Sequence, residues 1–591
     1  MIPCDLELRL RLLRVAQGLE APDLLITGGR VWNAFTGEVL EADVAVCGER
    51  IAWAGPGRWS GPVAKEAPRL EAGGKTLVPG YVEPHTHPWP FANPLSLGEA
   101  AVCHGTTCLV YDELLLHLAL GSERLARLTA ALSEAALPHV FWVARMASQS
   151  RFEGEDEFFS PEVVSALLAR PEFKATGEMT RWTDFLDPAR APRLVEVVEQ
   201  ARRLGKFADG HTAGASRKRL PALAATGLRS CHEATDAAEA LDRLRQGFWV
   251  LLRHSSLRPD LTALLPILGG TGFLDRVAFT TDGARANHVA EVGLTDHVIA
   301  LALAAGVPAN HAYRMATLNA AAFLGLDQDL GAIAPGRVAD INVLENLDAP
   351  TPRTVICRGR LVARDGVLAV PAPSESFAWG RAYAGSEPAI PSWGPEAFLL
   401  PFHAPNPFPT GRLANAVITR EAAVALEPRG GGLWPVPGPE PVHCLALTDR
   451  NGSWISRGAV SNLAVTLDGL ASTYTTNGGT LVLGTSPDAM ALALARLRQI
   501  GGGMVVVPKN SEPRDFPLPL AGIQMPGGFG PAARAAREFQ DAVAACGYAH
   551  ADPNFTLLFL SCDFLPDLRA TQVGWVRIKT GEILLRSESR P

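Results

Sequence analysis

Two histidines, His85 and His87, end an apolar stretch of the chain, LVPGYVEPHTHPW. If this stretch is a β-strand, residues two positions apart point to the same side, so both imidazole rings converge on one point. Neutral imidazole is the commonest metal ligand in proteins. The pair therefore indicates a metal site, although two histidines at this spacing are a weak pattern by themselves.

Further potential ligands follow along the chain, each near the end of an apolar run. Glu178 follows FKATG, His211 follows KFADG, His232 follows GLRSC and Asp282 follows RVAFTT. Seen alone, either carboxylate is more often a helix cap or a solvated loop residue. Together with the first pair they supply four imidazoles and two carboxylates, which is enough for one or two divalent ions, with Mn, Fe and Zn equally suited.

The elements that must position these side chains alternate between strand and helix patterns over residues 78–333. Apolar runs such as TCLVY, HVFWVAR and RVAFTTD are each followed by a helical stretch. Repeated βα units over this length predict an α/β fold with a (β/α)8 TIM-like barrel, while a doubly wound sheet would give a similar pattern. We prefer the barrel, whose active sites lie at the carboxyl ends of its strands.

The regions before and after the barrel predict further domains and a linker. Residues 1–77 predict an N-terminal helix and the first part of a small β domain, and residues 334–372 predict its second part, the two pieces forming a β-sandwich. Proline is frequent over residues 373–415, which predicts a linker without regular structure. Residues 416–591 predict a separate C-terminal α/β domain, in which no catalytic cluster is evident.

Composition narrows the function class. A formal net charge of −7 offers no basic field for nucleic acid, so we expect a small-molecule substrate. The nine cysteines are scattered and form no CxxC pair, as in a protein with reduced thiols. No uncharged apolar stretch is long enough to cross a bilayer, so we expect no membrane association and a cytoplasmic location.

Several segments of the chain resemble those of one enzyme family. The segments PGYVEPHTH, GEMTRW, DGHTAG, SCHEATDAAEALDRLRQG, TTDGA, RMATLNAAAFLGL and LGAIAPGRVADINVL together resemble the adenine deaminase family of the metal-dependent amidohydrolase superfamily. The resemblance spans about residues 25–365 and resumes at GGGMVVV. EPHxHP, TRW and RHSSLRPD are most similar to the YerA-like branch of that family.

The resemblance implies a reaction and a role for each ligand. His85 and His87 would hold one divalent ion and His211 and His232 a second, with Glu178 and Asp282 completing the site. Metal-activated hydroxide would attack C6 of a 6-aminopurine, since a divalent ion can lower the pKa of water to about 7. Glu178 would carry a proton to N1 and Asp282 would assist the leaving amine. The substrate would be adenine, giving hypoxanthine and ammonia, or an N6-substituted adenine such as N6-methyladenine.

Other residues are candidates for contact with the purine, each with a structural role as the alternative. Trp89 and Trp182 follow ligand motifs and could stack on the base. Asp112 matches an acidic position of the family, and Arg253 and His254 could touch the base or a neighbouring loop. Glu233, next to His232, would point to the opposite face of an extended strand, which favours a structural role.

Two departures from the family pattern affect purine recognition. An acidic pair in a HIES-like segment is typical after the first histidines, whereas this chain has Pro88 and Trp89 there. An AHDSHN-like stretch is typical near the C-terminus, whereas STYTTNGGTLVLG stands here. A bulkier or N6-substituted purine is therefore a hypothesis alongside adenine.

Two other interpretations remain open on the sequence. Cyclic amide hydrolases of the dihydroorotase and hydantoinase type share the paired histidines and the late aspartate. They usually bridge their metals with a carboxylated lysine, whereas Glu178 stands at that strand end and Lys174 lies four residues earlier. A catalytically inactive scaffold with the same fold is the other alternative.

A second copy of the same chain, in a homodimer, is a further candidate partner.

Overall fold

The N-terminal region forms one helix and the first strands of a small β domain. In the computed structural model, which describes residues 2–55, 57–65, 68–88 and 90–589, helix α1 spans Leu6–Ala16 and begins where the Asp5 side chain accepts a hydrogen bond from the Leu8 amide. Short strands separated by tight turns follow. They are β1 Leu24–Thr27, β2 Arg30–Trp32, β3 Val39–Glu41, β4 Val44–Cys47, β5 Arg50–Trp53, β6 Arg69–Glu71 and β7 Thr76–Pro79.

The central region is a barrel of eight strands, in which the first five and the last three form two parallel sheets. A parallel bridge from Ala208 to Leu228 joins the fifth strand to the chain before the sixth. The Glu83 carboxylate of the first strand accepts hydrogen bonds from the Thr280 hydroxyl and the Thr281 amide at the end of the eighth. The strands are β8 Tyr81–Thr86, β9 Thr106–Tyr111, β10 His139–Ala144, β11 Phe173–Thr176, β12 Phe207–Ala208, β13 Ser230–Cys231, β14 Trp249–Arg253 and β15 Val277–Thr280.

Apolar side chains from alternate strand positions fill the barrel, among them Val82, Val110 and Ala278. Burying each large apolar side chain stabilises such a core by roughly 1.5–3 kcal/mol. The surrounding helices are α2 Pro94–Cys103, α3 Leu114–Ala135, α4 Glu155–Phe158, α5 Pro161–Leu168, the 3₁₀ helix Trp182–Leu186, α6 Ala191–Arg203, α7 Leu220–Ala225, α8 Ala237–Arg245, α9 Leu261–Leu264, α10 Ile267–Gly270, α11 Ala286–Val292, α12 Thr295–Ala304, α13 Ala309–Ala316 and α14 Leu318–Phe323. The predicted α/β barrel is confirmed.

After the barrel the chain returns to the small β domain. The returning strands are β16 Ile341–Leu344, β17 Thr354–Cys357, β18 Arg360–Arg364 and β19 Val367–Leu368. Strand β16 pairs antiparallel with β7, so both flanks of the barrel contribute to one seven-stranded sheet. This sheet shares an apolar core with the sheet of β1, β4, β5 and β6, as the predicted sandwich requires.

The proline-rich segment 373–415 contains regular secondary structure, whereas the sequence predicted a linker without any. It forms helices α15 Pro373–Ser376 and α16 Trp379–Ala382, the 3₁₀ helix Pro395–Phe398 and strand β20 Phe408–Leu413. Trp379 and Phe398 in this segment are buried. The segment is therefore a packed arm rather than a free connection.

The C-terminal region is an α/β domain built on a large mixed sheet with the order β21-β20-β25-β24-β27-β26-β28-β29. The remaining elements are β21 Thr419–Val424, β22 Leu426–Arg429, β23 Gly432–Pro435, β24 Val442–Leu447, β25 Trp454–Ser461, β26 Leu467–Ser472, β27 Leu481–Gly484, α17 Pro487–Gln499, β28 Gly503–Pro508, β29 Arg514–Pro517, α18 Phe529–Ala545, α19 Pro553–Phe559, β30 Leu568–Thr571, β31 Gly574–Arg577, β32 Glu582–Arg586 and β33 Glu588–Ser589. Within the described ranges, no helix combines the length and apolarity that crossing a membrane requires.

The C-terminal domain covers the mouth of the barrel. The Asn93 side-chain amide, in the loop after β8, donates to the Met525 carbonyl at 2.8 Å, and the Phe91 amide donates to the Ile523 carbonyl at 3.2 Å. On the other side of the mouth the Arg151 amide donates to the Asp563 carboxylate at 2.8 Å. Segments remote in sequence therefore enclose the carboxyl ends of the barrel strands.

Candidate metal centre

The first two histidines converge as their spacing predicts. His85 lies in β8 and His87 directly after it, and their ring centroids are 5.1 Å apart. Nδ1 of His87 lies 2.8 Å from the carbonyl oxygen of Asp112. Because a carbonyl only accepts, this bond places the proton on Nδ1 and leaves the lone pair of Nε2 for a metal.

Glu178 lies between the first pair of histidines and the second pair. Its Oε1 atom is 3.5 Å from Nε2 of His87. Its Oε2 atom is 3.3 Å from Nε2 of His232 and 3.7 Å from Nε2 of His211. One buried carboxylate is thus within reach of ligands from both pairs.

Asp282 follows β15 and completes the cluster from the opposite wall. Its Oδ1 atom lies 3.5 Å from Nε2 of both His85 and His87 and 3.7 Å from Nε2 of His232. The backbone of Asp282 has a φ of +57°, which aspartate tolerates better than most residues. Such a conformation is common where a fold aims one side chain into a site.

The donor set fits divalent metal ions. The Nε2 atoms of the buried His85 and His232 have no hydrogen-bond partner among the described residues. Leaving a buried polar atom without a partner costs roughly 1–3 kcal/mol, so such atoms are suited to bind a metal ion. At the barrel mouth, the groups whose ligand atoms lie within 4.8 Å of one another are His85, His87 and Asp282; His85, Glu178 and His232; and His211, His232 and Glu233.

Charges around the carboxylates keep them ionised. Burial acts to raise the pKa of Glu178, but the neighbouring His211 and Arg145 hold it well below its usual range. Burial likewise opposes ionisation of Asp282, and there His232, His85 and Arg253 lower the pKa. Both groups are therefore carboxylates at neutral pH, which suits them to metal binding.

Arg145 connects Asp112 to Glu178. Its Nε atom donates to Oδ1 of Asp112, and its Nη2 atom donates to Oε1 of Glu178 at 2.9 Å. The other oxygen of Asp112 accepts from the Glu178 amide at 3.1 Å. Asp112 thus positions Glu178 through its backbone and through the guanidinium.

Of the five residues predicted to contact substrate, three line the cavity, one does not, and one lies outside the described residues. Asp112, Trp182 and Arg253 line the cavity above the ligand cluster. The described cavity wall does not include His254, whose ring packs 5.5 Å from that of His297. Trp89 lies outside the described residues.

Glu233 enters the site, contrary to the structural role assigned to it from the sequence. Its Oε1 atom lies 3.5 Å from Nε2 of His211, and its carboxylate pairs with Arg253. The expectation assumed an extended chain, but β13 ends at Cys231. His232 and Glu233 therefore lie in a loop, where neighbouring side chains need not alternate.

Two residues that contact the candidate ligands were not predicted from the sequence. Arg145 directly follows β10 and Asp209 directly follows β12, so their position at barrel strand ends was the available indication. The Oδ2 atom of Asp209 lies 2.9 Å from Nδ1 of His85. The lysine of the cyclic amide hydrolase interpretation is elsewhere, because Nζ of Lys174 lies 4.2 Å from the centroid of the Phe141 ring. No lysine lines the described part of the cavity.

The C-terminal domain forms much of the cavity wall, although its sequence gave no sign of this. The cavity has a volume of about 850 Å³. Both domains contribute apolar side chains to it. Those from the C-terminal domain include Val417, Ile418, Tyr474, Ile523, Phe555, Leu558, Phe559 and Phe564.

Comparison with known proteins gives matches over most of the chain. The model of the amidohydrolase family matches residues 76–362, and the model of the adenine deaminase C-terminal domain matches residues 416–582. A solved dihydropyrimidinase from Brevibacillus agri aligns with 59% of this chain and 96% of its own, with 16% identity and a TM-score of 0.44.

Curated relatives match along nearly their whole length. A Halalkalibacterium halodurans protein named "Putative adenine deaminase" is 31% identical over 98% of this chain and 97% of its own. "Putative adenine deaminase YerA" of Bacillus subtilis is 30% identical over 96% of each chain. An "Adenine deaminase" of Cenarchaeum symbiosum is 30% identical over 96% of this chain and 93% of its own.

Proposed function

Because the chain belongs to the adenine deaminase family of amidohydrolases, hydrolases that act on C–N bonds, we propose that it deaminates 6-aminopurines with one or two divalent metal ions. Water adds its oxygen to C6, and the C6–N6 bond breaks. Adenine then gives hypoxanthine and ammonia, and an N6-alkyl adenine gives hypoxanthine and the alkylamine. The observation that carries this proposal is the position of Glu178 between the two histidine pairs.

The ligands divide into two neighbouring groups, in accord with a centre for one or two ions. His85 and His87 would hold one ion together with Asp282, and His211 and His232 a second, with Glu178 within reach of both. A bound divalent ion lowers the pKa of water towards 7, which provides a hydroxide equivalent at neutral pH. Mn, Fe and Zn all accept these ligands.

Glu178 is our candidate for moving a proton to N1 of the purine. Its carboxylate is held by the Arg145 guanidinium and starts ionised, so it can accept a proton from water. It can then return this proton to N1, which makes C6 more electrophilic. A positioned carboxylate in such a role contributes typically 10²–10⁴-fold to the rate.

Asp282 is our candidate for the proton on the leaving amine. It faces Glu178 across the histidine cluster, and one oxygen lies toward His85 and His87 while the other contacts Arg253. Two carboxylates on opposite walls can serve the ring nitrogen and the leaving group separately. Because Asp282 starts ionised, it would first take the second proton of the attacking water and then pass it to N6, while the first proton goes to N1 through Glu178.

The cavity supports an extended purine as substrate. At about 850 Å³ it lies near the upper end of pockets that enclose drug-sized ligands, far larger than the ten non-hydrogen atoms of adenine need. Phe559, Phe564 and Trp182 line it and give part of its wall an apolar character. We therefore include N6-substituted adenines, N6-methyladenine among them, in the proposal.

The experiment is hypoxanthine formation from adenine and from N6-methyladenine by protein loaded with Mn, Fe or Zn. We expect hypoxanthine from at least one of them, and a fall of about 10²–10⁴-fold in kcat for Glu178→Gln and for Asp282→Asn. Glu172→Gln, which alters a carboxylate paired with Arg170 away from the cavity, is the matched control. A metal-loaded protein that converts neither purine would overturn the proposal. If the protein converts adenine efficiently but does not convert N6-alkyl purines, the N6-substituted adenines are no longer part of the proposed substrate range.

A further inference from the structure

Glu113 is a buried carboxyl group of the cavity that has no assigned role in the proposed reaction. It directly follows Asp112, lines the same cavity as Glu178 and Asp282, and is 9% exposed. Among the described residues no lysine, arginine or histidine forms an ion pair with it. Asp112 takes up the nearby Arg145 guanidinium instead.

The surroundings of Glu113 favour its neutral form. Burial and then the negative charge of Asp112 raise the pKa of this carboxyl well above its usual range, against the opposing effects of the Arg145 charge and of a hydrogen bond from the Leu116 amide. A neutral carboxyl group offers an O–H donor beside a C=O acceptor, whereas a carboxylate only accepts.

Gln524 fixes the direction of this carboxyl group. Its Nε2 atom donates to Oε1 of Glu113 at 3.3 Å, and its own Oε1 accepts from the Tyr383 hydroxyl at 3.2 Å. Gln524 is buried and lies behind Glu113 rather than on the cavity wall. Because Oε1 of Glu113 receives the Gln524 amide, it acts as the acceptor oxygen, and Oε2 is left to carry the proton.

We propose that Glu113, positioned by Gln524, binds the N3/N9 edge of the purine and so selects free bases over bases substituted at N9. This inference rests on the proposed function, since C6, N1 and N6 must face the metal ligands. The edge of the ring system opposite to them then carries an acceptor, N3, beside a donor, N9–H. A neutral carboxyl group complements that pair with two hydrogen bonds. A sugar at N9 removes the donor and occupies the place of the carboxyl group, which excludes nucleosides.

The test compares adenine with 9-methyladenine in the metal-loaded protein. We expect the unaltered protein to prefer adenine by roughly 100-fold in kcat/KM. Glu113→Ala removes both hydrogen bonds and leaves room for the methyl group. Its kcat/KM for adenine should fall roughly 10- to 100-fold, mainly through KM, and the preference should shrink to within about 3-fold. Glu113→Gln keeps a donor and an acceptor and should retain most of the preference.

Glu99→Gln is the matched control, because Glu99 is a buried carboxyl group that accepts from Ser374 and lies away from the cavity. It should leave the preference unchanged. If Glu113→Ala does not fold, Glu113→Leu provides the same comparison. A variant without the carboxyl group that still prefers adenine as strongly as the unaltered protein overturns the role of Glu113 alone. Absence of hypoxanthine from every 6-aminopurine in the unaltered, metal-loaded protein overturns the proposed function and this inference with it.

Discussion

Nη1 of the buried Arg253 lies 3.0 Å from Oδ2 of Asp282. The same guanidinium contacts Glu233 and Asp260, so it holds the loop after β15 to the loop after β13. Arg253→Met should leave Asp282 less well oriented and lower kcat by roughly 10–100-fold with a smaller change in KM. Steady-state kinetics on the best purine substrate measure this. Arg245→Met, which removes an exposed ion pair with Asp242, should behave like the unaltered protein.

Metal removal should destabilise the protein. Without an ion, the buried Nε2 atoms of His85 and His232 have no hydrogen-bond partner among the described residues. A ligand that binds only the folded state adds about 2.7 kcal/mol at a free concentration 100 times its Kd. Chelation should therefore lower the Tm by several degrees, and added Mn or Zn should restore it. In a His232→Asn variant, chelation and metal addition should change the Tm less than in the unaltered protein. An equal change in Tm would argue against metal binding at this site.

The apolar wall of the cavity should affect binding more than chemistry. The ring of Phe564, from the C-terminal domain, lies 6.1 Å from that of His211, and Phe564 lines the cavity. Phe564→Ala should raise KM for an N6-alkyl adenine about 10-fold while kcat changes little, because the lost contact is apolar and not with the reacting atoms. Phe273→Ala, at a side chain that is 80% exposed, is the control. A fall in kcat alone would contradict the assignment.

Asp552 should make stability depend on pH. Burial raises the pKa of this carboxyl to about 6, against the opposing charge of Arg285. The folded state therefore binds a proton more tightly than the unfolded chain, whose aspartates titrate near 3.9. The stabilisation is complete below pH 4 and is lost as the pH rises through 6, by up to about 3 kcal/mol. Asp552→Asn, which can retain the hydrogen bond from the Asn554 amide, should raise the Tm relative to the unaltered protein more at pH 7.5 than at pH 4.5.

Local sequence pattern was sufficient to predict the barrel and to nominate the candidate ligands. Glu178 and Asp282 are candidates because each follows a strand-like run, and in a parallel barrel all strands end on the same side. Arg145 and Asp209 occupy equivalent positions. They were missed because an arginine or an aspartate after a strand is commonplace, and only its partner reveals its role.

The sequence by itself determined that a barrel with a cluster of histidines and carboxylates at its mouth is present, because strand and helix periodicities are local properties of the chain. Only the tertiary structure decided which side chains meet there. Glu233 turned inward because β13 ends two residues before it, and Arg253 became a buried partner of Asp282. The C-terminal wall of the cavity also depends on tertiary structure. The contact between Glu113 and Gln524 joins residues that are 411 positions apart, and no periodicity encodes such a contact.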